Sequence, residues 1–444
     1  AAAAAAAASP PGSNASQKEK GGFQFTLSSP SGKTAAAVVL GRRNSITRIQ
    51  LDGPPRLLHY NAADLTSWGF DTFVLDSSSQ VLACAAVLLR AQLDAAPAHL
   101  QCSPSTLNNF LKAVAAKYRS IPYHNFRRAV DTAQSLHVMM TTYQALGPRL
   151  SWFSRIALAV SALAIDLDHP GVNNHFLVAT ANDLALNYND ISVLENHHTA
   201  TLFRLLRKEE CNIFGSWPKP VFTHLRETVI SLILASDSSS HFELLAQFEA
   251  VGARWAARQG SSNAPPDIIS SDDLTVMATL LHCADISPVC RKWEVADRWA
   301  GLKIQEFFCQ GDKEKELGID VSPHCDKHNG KGVSGISLSF ADFIALPQFS
   351  ALATVFTEAQ ECLAELSANR VMWEGMYQMQ AVLDEPSASR LDRRRVTFNR
   401  ILQVKPISDH FHEEQQSPDG EGEVQNTEYR SNVFAAAAAA AANK

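Results

Sequence analysis

The sequence predicts an all-α fold, a large helical domain flanked by two polar extensions. Apolar residues recur at the spacing i, i+3, i+4 and i+7, which lines one face of a helix, as in Leu107, Phe110, Leu111 and Val114. Helix-stopping residues such as Pro122 and Pro347 separate these stretches. Between about residues 60 and 405 there is no Pro/Gly-rich linker and no run of alternating strands. We therefore expect roughly ten to sixteen packed helices.

Length and composition exclude several classes of protein. The chain has 444 residues, 46% of them hydrophobic and 19% charged, which is typical of a globular protein. A formal charge of −6 argues against general nucleic-acid binding. No apolar run approaches the ~20 residues that span a bilayer, and no signal-peptide pattern is visible. The eight cysteines form no C-x-x-C pair, so a cytoplasmic location is expected.

Two polar segments flank the predicted domain, which we place at residues 56–405. Residues 1–55 are predicted to form an extended arm with weak β patterns at 35–40 and 46–51. Residues 406–444 are predicted to form a polar, acidic tail. Alanine runs at both ends are left out of the fold argument. We expect one or both flanks to contact protein partners in a larger assembly, with no nucleic acid involved.

Histidines stand beside carboxylates at several places in the helical region. The densest stretch is Asp166-Leu167-Asp168-His169, and another is His282-Cys283-Ala284-Asp285. Imidazole and carboxylate groups are ligands for Zn, Mg or Mn. Because these residues are far apart in the chain, the spacing alone is a weak signal. The alternative is that buried histidines and aspartates bind one another and cap helices.

Longer motifs carry a family resemblance. The chain contains, in order, Ser67-Trp68-Gly69-Phe70-Asp71, Tyr123-His124-Asn125, Asp166-Leu167-Asp168-His169-Pro170-Gly171, Tyr188-Asn189-Asp190, Leu194-Glu195-Asn196-His197-His198, His282-Cys283-Ala284-Asp285, Glu306-Phe307-Phe308 and Gln310-Gly311-Asp312. From Trp68 to about Arg400 the chain thus resembles the catalytic domain of class I cyclic nucleotide phosphodiesterases. The resemblance is closest to protozoan members, especially kinetoplastid ones.

The resemblance implies an all-α domain of about sixteen helices that hydrolyses cyclic AMP or cyclic GMP with a zinc and a magnesium ion. His124 matches the histidine that protonates the leaving oxygen. Asp166 and Asp285 match the two aspartates of the metal site. Three further catalytic-site positions are matched, at His169, Glu195 and His198.

Two metal ligands of the family are missing. Where the family pattern has histidine, this chain has Arg128 and Ile165. Arginine has no lone pair for a metal, and isoleucine has no ligand atom. Because nitrogen or sulfur donors usually supply the affinity for zinc, we expect no tightly bound cofactor. Asp166 and Asp285 are the residual metal ligands, and a weak Mg²⁺ at Asp166 is compatible with them.

The positions that match the family's nucleotide pocket are also altered. Phe340 keeps the place of the phenylalanine that stacks on the base, but Ser337 replaces the glutamine that hydrogen-bonds the base edge. Asp237 lies in a pocket-lining stretch that has lost its methionine. An unpaired polar edge on the base costs about 1–3 kcal/mol. Binding of cyclic nucleotides is therefore doubtful.

Three functions are compatible with this pattern. The leading one is a pseudoenzyme, which keeps the fold of a signal-transduction enzyme but has a structural or scaffold role in a larger assembly. The resemblance to kinetoplastid members suggests that this assembly is flagellar or cytoskeletal. The second is an active metal-dependent phosphodiesterase with an unusual metal site, and the third is a cyclic-nucleotide sensor that does not hydrolyse. We further predict that Arg128 replaces the metal by forming a salt bridge with Asp166, Asp285 or both. The alternative is that Arg128 points to solvent.

Overall fold

The computed structural model describes residues 23–28, 34–40, 64–147, 149–257, 269–328 and 330–384. Contacts divide the chain into two units, residues 1–61 and 62–444, each described here by itself.

The first unit contains an antiparallel hairpin of β1 (Phe23–Ser28) and β2 (Thr34–Leu40), in which Phe23 pairs with Leu40. β2 agrees with the predicted pattern at 35–40, whereas the pattern at 46–51 lies outside the described residues. β1 was missed, although the alternation of Phe23, Phe25 and Leu27 is a strand signal.

The second unit is helical, which confirms the all-α prediction for the domain. Its described residues form fourteen α-helices, joined by short turns and 3₁₀ segments: α1 (Ser78–Leu93), α2 (Pro104–Lys117), α3 (Phe126–Thr142), α4 (Trp152–Ala164), α5 (Asn174–Ala179), α6 (Asp183–Tyr188), α7 (Val193–Leu206), α8 (Lys219–Leu234), α9 (His241–Ala257), α10 (Ser271–Ile286), α11 (Trp293–Leu317), α12 (Gly332–Phe340), α13 (Leu346–Val355) and α14 (Gln360–Asp384).

Side-chain caps define where several helices begin. Ser77 and Ser270 form capping boxes at the starts of α1 and α10. The Asn125 side chain accepts a hydrogen bond from the backbone N–H of Arg128, so α3 begins at Phe126. Such caps satisfy N–H groups that have no partner within the helix. The cap at Asn125 therefore places Arg128 in the first turn of α3.

α3 and α4 pack against each other at the centre of the domain, and α3 also contacts α1 and α10. From Arg128 to Met140, every residue of α3 is buried. α4 is buried along most of its length, because it is apolar on nearly all sides. It ends at Ala164, and the residue that caps its C-terminus, Ile165, is also buried. The end of α4 therefore delivers Asp166 directly into the interior.

One continuous helical stretch, Gly332–Val355, is long and apolar enough to cross a membrane by length and composition. It comprises α12, a π-helical turn and α13. The prediction that Pro347 ends a helix is therefore wrong, because Pro347 lies in the first turn of α13 within this stretch. In the fold, α12 and α13 both pack against α14. A core helix of a globular domain passes the same test. The stretch therefore supplies core packing and, through Ser337 and Phe340, part of the predicted pocket.

Candidate active site

Four parts of the fold carry the residues that the sequence singles out around the predicted metal site. The start of α3 carries His124 and Arg128, and the turn after α4 carries Asp166 and His169. The first turns of α7 carry Glu195 and His198, and the end of α10 carries Asp285. The predicted pocket residues Ser337 and Phe340 lie on α12. Asp237 caps a 3₁₀ turn that precedes α9.

Arg128 lies inside the pocket and binds a carboxylate there. Its Nη2 atom is 2.7 Å from Asp285 Oδ1, and the same nitrogen donates to the Asp285 backbone carbonyl. Its Nη1 atom donates to Thr132, one turn further along α3. The Tyr123 ring lies 5.2 Å from the guanidinium carbon. The side chain of Arg128 is only 2% exposed and that of Asp285 24%. The predicted ion pair is therefore confirmed for Asp285, and the alternative of a solvent-facing Arg128 is wrong.

Asp166 is the second carboxylate of the predicted metal site. Its Oδ2 atom is buried and has no hydrogen-bond partner. Among the described residues, no hydrogen bond joins it to Arg128. Burial and the nearby Asp285 raise the pKa of Asp166 to about 6, against the opposing effects of His124 and Arg128. The guanidinium thus neutralises Asp285 more directly than Asp166.

His124 is held by Glu306, which projects from α11. His124 Nδ1 lies 2.5 Å from Glu306 Oε1, and the backbone N–H groups of Tyr123 and His124 donate to Oε2. Burial lowers the pKa of His124, but Glu306 and Asp166 outweigh it, so the pKa stands above its usual value. A protonated imidazole donating to a carboxylate is the state that this geometry favours.

Two further histidines stack beside His124. The His169 ring is 3.9 Å from the His124 ring at an angle of 22°, and the His198 ring is 5.8 Å from His169. Gly171 N–H donates to His169 Nδ1, and His198 Nδ1 donates to the Leu167 carbonyl. Burial lowers the pKa of His198 to about 3 and holds that of His169 well below its usual value. Both rings are therefore neutral when His124 is charged.

Glu195 and Asp237 are bound to their surroundings rather than to each other. Glu195 Oε2 accepts from Asn174 Nδ2 at 3.0 Å. Asp237 Oδ2 accepts from the Ser192 hydroxyl at 2.8 Å, and its Oδ1 caps the following 3₁₀ turn. Burial, together with the charge of Asp237, raises the pKa of Glu195 to about 7. Glu195 therefore carries a proton for part of the physiological pH range.

The predicted base platform, Phe340, is contacted by a lysine. Lys303 Nζ lies 4.0 Å from the centre of the Phe340 ring, and 5.7 Å from the rings of both Tyr123 and Phe307. Ser337, one turn before Phe340, is 5% exposed. Attraction between an ammonium group and an aromatic face stabilises this arrangement. A cation therefore lies against Phe340, and a short hydroxyl occupies the position of the expected amide.

Sequence reasoning missed several residues that build this site. Glu306 was quoted only as part of a motif, and Lys303 was not considered. Both lie on one face of α11, because they are three residues apart. Gln310 and Glu314 continue that face and are almost fully buried. Polar residues that recur on one face of a helix expected to be buried are a signal that could have identified Lys303 and Glu306.

The residues present do not fit the zinc ion that the family resemblance implies. A metal would need ligands at positions 128 and 165, where the chain has a guanidinium bound to Asp285 and a buried aliphatic side chain. In the part of the chain that the structure describes, one other group of donors converges: His124, His169 and Glu306 bring one ligand atom each within 4.8 Å of one another. In that group, His124 Nδ1 and Glu306 Oε1 bind each other, and His169 Nδ1 accepts from Gly171.

Comparisons with known proteins agree with the fold and the motifs. Residues 123–366, more than half of the chain, match the family model described as 3′5′-cyclic nucleotide phosphodiesterase. The chain is 35% identical over 322 residues to isoform F of a 3′,5′-cyclic-AMP phosphodiesterase of Drosophila melanogaster. It is 36% identical over 334 residues to 3′,5′-cyclic-AMP phosphodiesterase 4C of Rattus norvegicus. These alignments cover 70% and 74% of this chain, but only 47% and 61% of the two relatives.

Solved structures show the same similarity. The phosphodiesterase domain of the RhoPDE fusion protein from the choanoflagellate Salpingoeca rosetta has a TM-score of 0.64 and 27% identity, covering 71% of this chain and 96% of that one. The structure of LmjPDEB1 in complex with IBMX has a TM-score of 0.63 and 29% identity, covering 70% and 92%. With a family match over more than half its length and this shared helical fold, the chain belongs to the 3′,5′-cyclic nucleotide phosphodiesterase family.

Proposed function

We propose that this chain is a pseudoenzyme of the phosphodiesterase family, which keeps the fold, does not hydrolyse cyclic nucleotides and serves as a scaffold in a larger protein assembly. The observation that carries the proposal is the buried ion pair between Arg128 and Asp285. A permanent cation at this position repels a divalent metal and occupies the carboxylate that would bind it. Without a firmly held metal, no hydroxide forms at neutral pH.

The nucleotide pocket supports the same proposal. Lys303 Nζ lies against the ring of Phe340, and Ser337 cannot supply the paired donor and acceptor of an amide. A purine would have to share the ring with the ammonium group or displace it. The chain thus lacks both the base-recognising amide and the two histidine ligands of the metal, although the position of the leaving-group acid is kept. A weak Mg²⁺ at Asp166 is the metal binding that we propose remains.

An assay of the purified chain with cyclic AMP and cyclic GMP, in Mg²⁺ and in Mn²⁺, tests the loss of hydrolysis. We expect no turnover above that of buffer containing the metal. A rate in the ordinary enzyme range of ~1–10³ s⁻¹ would contradict the proposal. The zinc content of the same preparation, measured by mass spectrometry, is the companion measurement, and we expect well below one equivalent.

An active phosphodiesterase with an unusual metal site is the second candidate. It is favoured by the intact arrangement of His124, His169 and Glu306, which keeps a charged imidazole at the position of the leaving-group acid. For this candidate to be correct, the chain must bind a catalytic metal ion although it lacks the two histidine ligands at positions 128 and 165. Stoichiometric metal with turnover would support it over a pseudoenzyme.

The assembly role rests on the polar flanks. We propose that one or both of the arm at residues 1–55 and the tail at 406–444 contribute to binding protein partners, in a flagellar or cytoskeletal setting within the cytoplasm. Cross-linking mass spectrometry on the native assembly tests this proposal. We expect cross-links from the flanks to other proteins, and their absence from both flanks would contradict it.

A further inference from the structure

A second surface of the domain carries several positively charged side chains, on α7 and α8. A cleft of about 410 Å³ lies where α7, the following turn and α8 meet. We call it the arginine cleft. Its main lining residues are Arg204, Arg207, Arg226, Phe203, Phe222 and Asn212.

The three arginines of the arginine cleft are exposed. Among the described residues, none of their side chains forms a hydrogen bond or an ion pair. Arg226 only lies against an aromatic ring, with its guanidinium carbon 5.1 Å from the centre of the Phe203 ring. Three guanidinium groups around one cleft repel one another and favour an anionic ligand. The planar donors of arginine suit carboxylates in particular.

The floor of the arginine cleft is aromatic. Phe203 and Phe222 are half-buried, and their ring centres lie 6.4 Å apart at an angle of 77°. Aromatic rings attract a further aromatic side chain in edge-to-face or offset-stacked geometry. The cleft thus offers an aromatic contact and three cations side by side. The chemistry that fits both is a peptide with an aromatic side chain next to several carboxylates.

This chain contains such a peptide. In its C-terminal segment, Phe411 is followed by Glu413 and Glu414, and then by Asp419, Glu421 and Glu423. No lysine or arginine occurs between residues 406 and 429. We propose that the arginine cleft binds this acidic segment, residues 409–423, of the same chain. The proposal does not depend on whether the chain hydrolyses cyclic nucleotides.

The segment can reach the cleft. The last described residue is Asp384, and Phe411 follows it by 27 positions in the chain, a stretch that spans up to ~90 Å if fully extended. A globular domain of this size is expected to be only ~50 Å across. An intramolecular ligand also has a high effective concentration, because the covalent connection keeps it near the domain. The tail of the same chain is therefore favoured over a free peptide of equal affinity.

Hydrogen–deuterium exchange on the full-length chain tests the proposal. We expect the amides of residues 409–423 to be protected at low salt and to lose that protection near 1 M salt, where the Debye length falls to ~3 Å. In Arg204→Glu, we expect protection to fall by roughly tenfold, which corresponds to ~1.4 kcal/mol. Phe411→Ala should have a similar effect, because it removes the aromatic contact.

Lys313→Glu is the matched control. Lys313 is exposed on α11, has no ion pair among the described residues and undergoes the same change of charge. We expect this variant to keep the protection. The combination of Arg204→Glu with Glu413→Lys should regain part of the protection lost in Arg204→Glu, while the melting temperatures show that every variant is folded.

Three results would overturn the proposal. One is an unprotected tail in the unsubstituted chain at low salt. Another is equal loss of protection in Arg204→Glu and Lys313→Glu. The third is protection that falls on dilution, which would mean that the tail binds a second molecule instead of its own domain.

Discussion

Arg128 and Asp285 are 157 positions apart in the chain, yet the guanidinium of one lies 2.7 Å from the carboxylate of the other. α3 supplies the cation and α10 the anion, so the pair links two central helices. Thr132 and the Asp285 carbonyl accept further hydrogen bonds from the same guanidinium. In the pocket where the family resemblance implies a metal ion, this chain has a cation that belongs to a side chain of α3.

Arg128→Ala should destabilise the domain strongly. The substitution leaves Asp285 without its cation beside Asp166, and removing one partner of a buried pair typically costs ~3–5 kcal/mol. Because Asp285 is partly exposed, we expect the lower end of that range. Urea unfolding followed by circular dichroism measures the loss. Arg128→Lys should recover only part of it, since an ammonium group cannot donate to Thr132 and Asp285 in the same planar geometry.

Lys112→Ala is the control for this measurement. Lys112 is exposed on α2 and makes no ion pair among the described residues. We expect its effect to be within ~0.5 kcal/mol. If Arg128→Ala and Lys112→Ala unfold at the same urea concentration, the ion pair does not stabilise the fold.

The double substitution Arg128→His with Ile165→His should create a zinc site. Both new imidazoles would join Asp166 and Asp285, which gives two nitrogen and two oxygen donors, a set that zinc accepts. We expect about one equivalent of zinc after dialysis, measured by mass spectrometry. Each single variant should bind far less zinc, because it offers only one of the two imidazoles and therefore at most three donors. A double variant that contains no more zinc than the original chain would contradict this interpretation of the pocket.

Much of the fold and part of the site could be predicted from the sequence. Helical periodicity identified the helical domain, and the motifs around His124, Asp166 and Asp285 indicated which residues face one pocket. The substitutions at positions 128 and 165 were also visible. The sequence did not show that Arg128 would pair with Asp285 and not with Asp166, because this depends on how the end of α10 lies relative to the first turn of α3.

Other features depend on contacts that a single sequence does not reveal. Glu306 binds His124 and two backbone N–H groups across more than 180 positions. Lys303 reaches Phe340 only because α11 packs against α12. From the sequence alone, a lysine in a long helix is expected to be exposed to solvent and not to line a pocket. Only the packing of helices decides which member of the α11 stripe enters the pocket.

Lys303→Ile combined with Ser337→Gln should restore binding of cyclic nucleotides. Isoleucine removes the cation from the face of Phe340, and glutamine supplies a donor and an acceptor for the base edge. A ligand that binds only the folded state raises stability by RT ln(1 + [L]/Kd). We expect cyclic AMP or cyclic GMP to raise the melting temperature of the double variant but not of the original chain. A rise in the original chain would support a cyclic-nucleotide sensor instead.

Glu195→Gln should change how stability depends on pH. Burial and Asp237 raise the pKa of Glu195 from 4.5 to about 7. Between these values the folded state holds more protons at this carboxyl than the unfolded state. Its contribution to stability therefore falls as the pH rises from about 4.5 to 7 and is constant above. A neutral glutamine has no such dependence. We expect the melting temperature of Glu195→Gln, relative to the original chain, to increase across this interval and then level off.

Glu249→Gln, on the exposed face of α9, is the control, and the difference between its melting temperature and that of the original chain should stay nearly constant. Parallel curves for Glu195→Gln and Glu249→Gln over pH 4.5 to 7 would show that burial does not raise the pKa of Glu195.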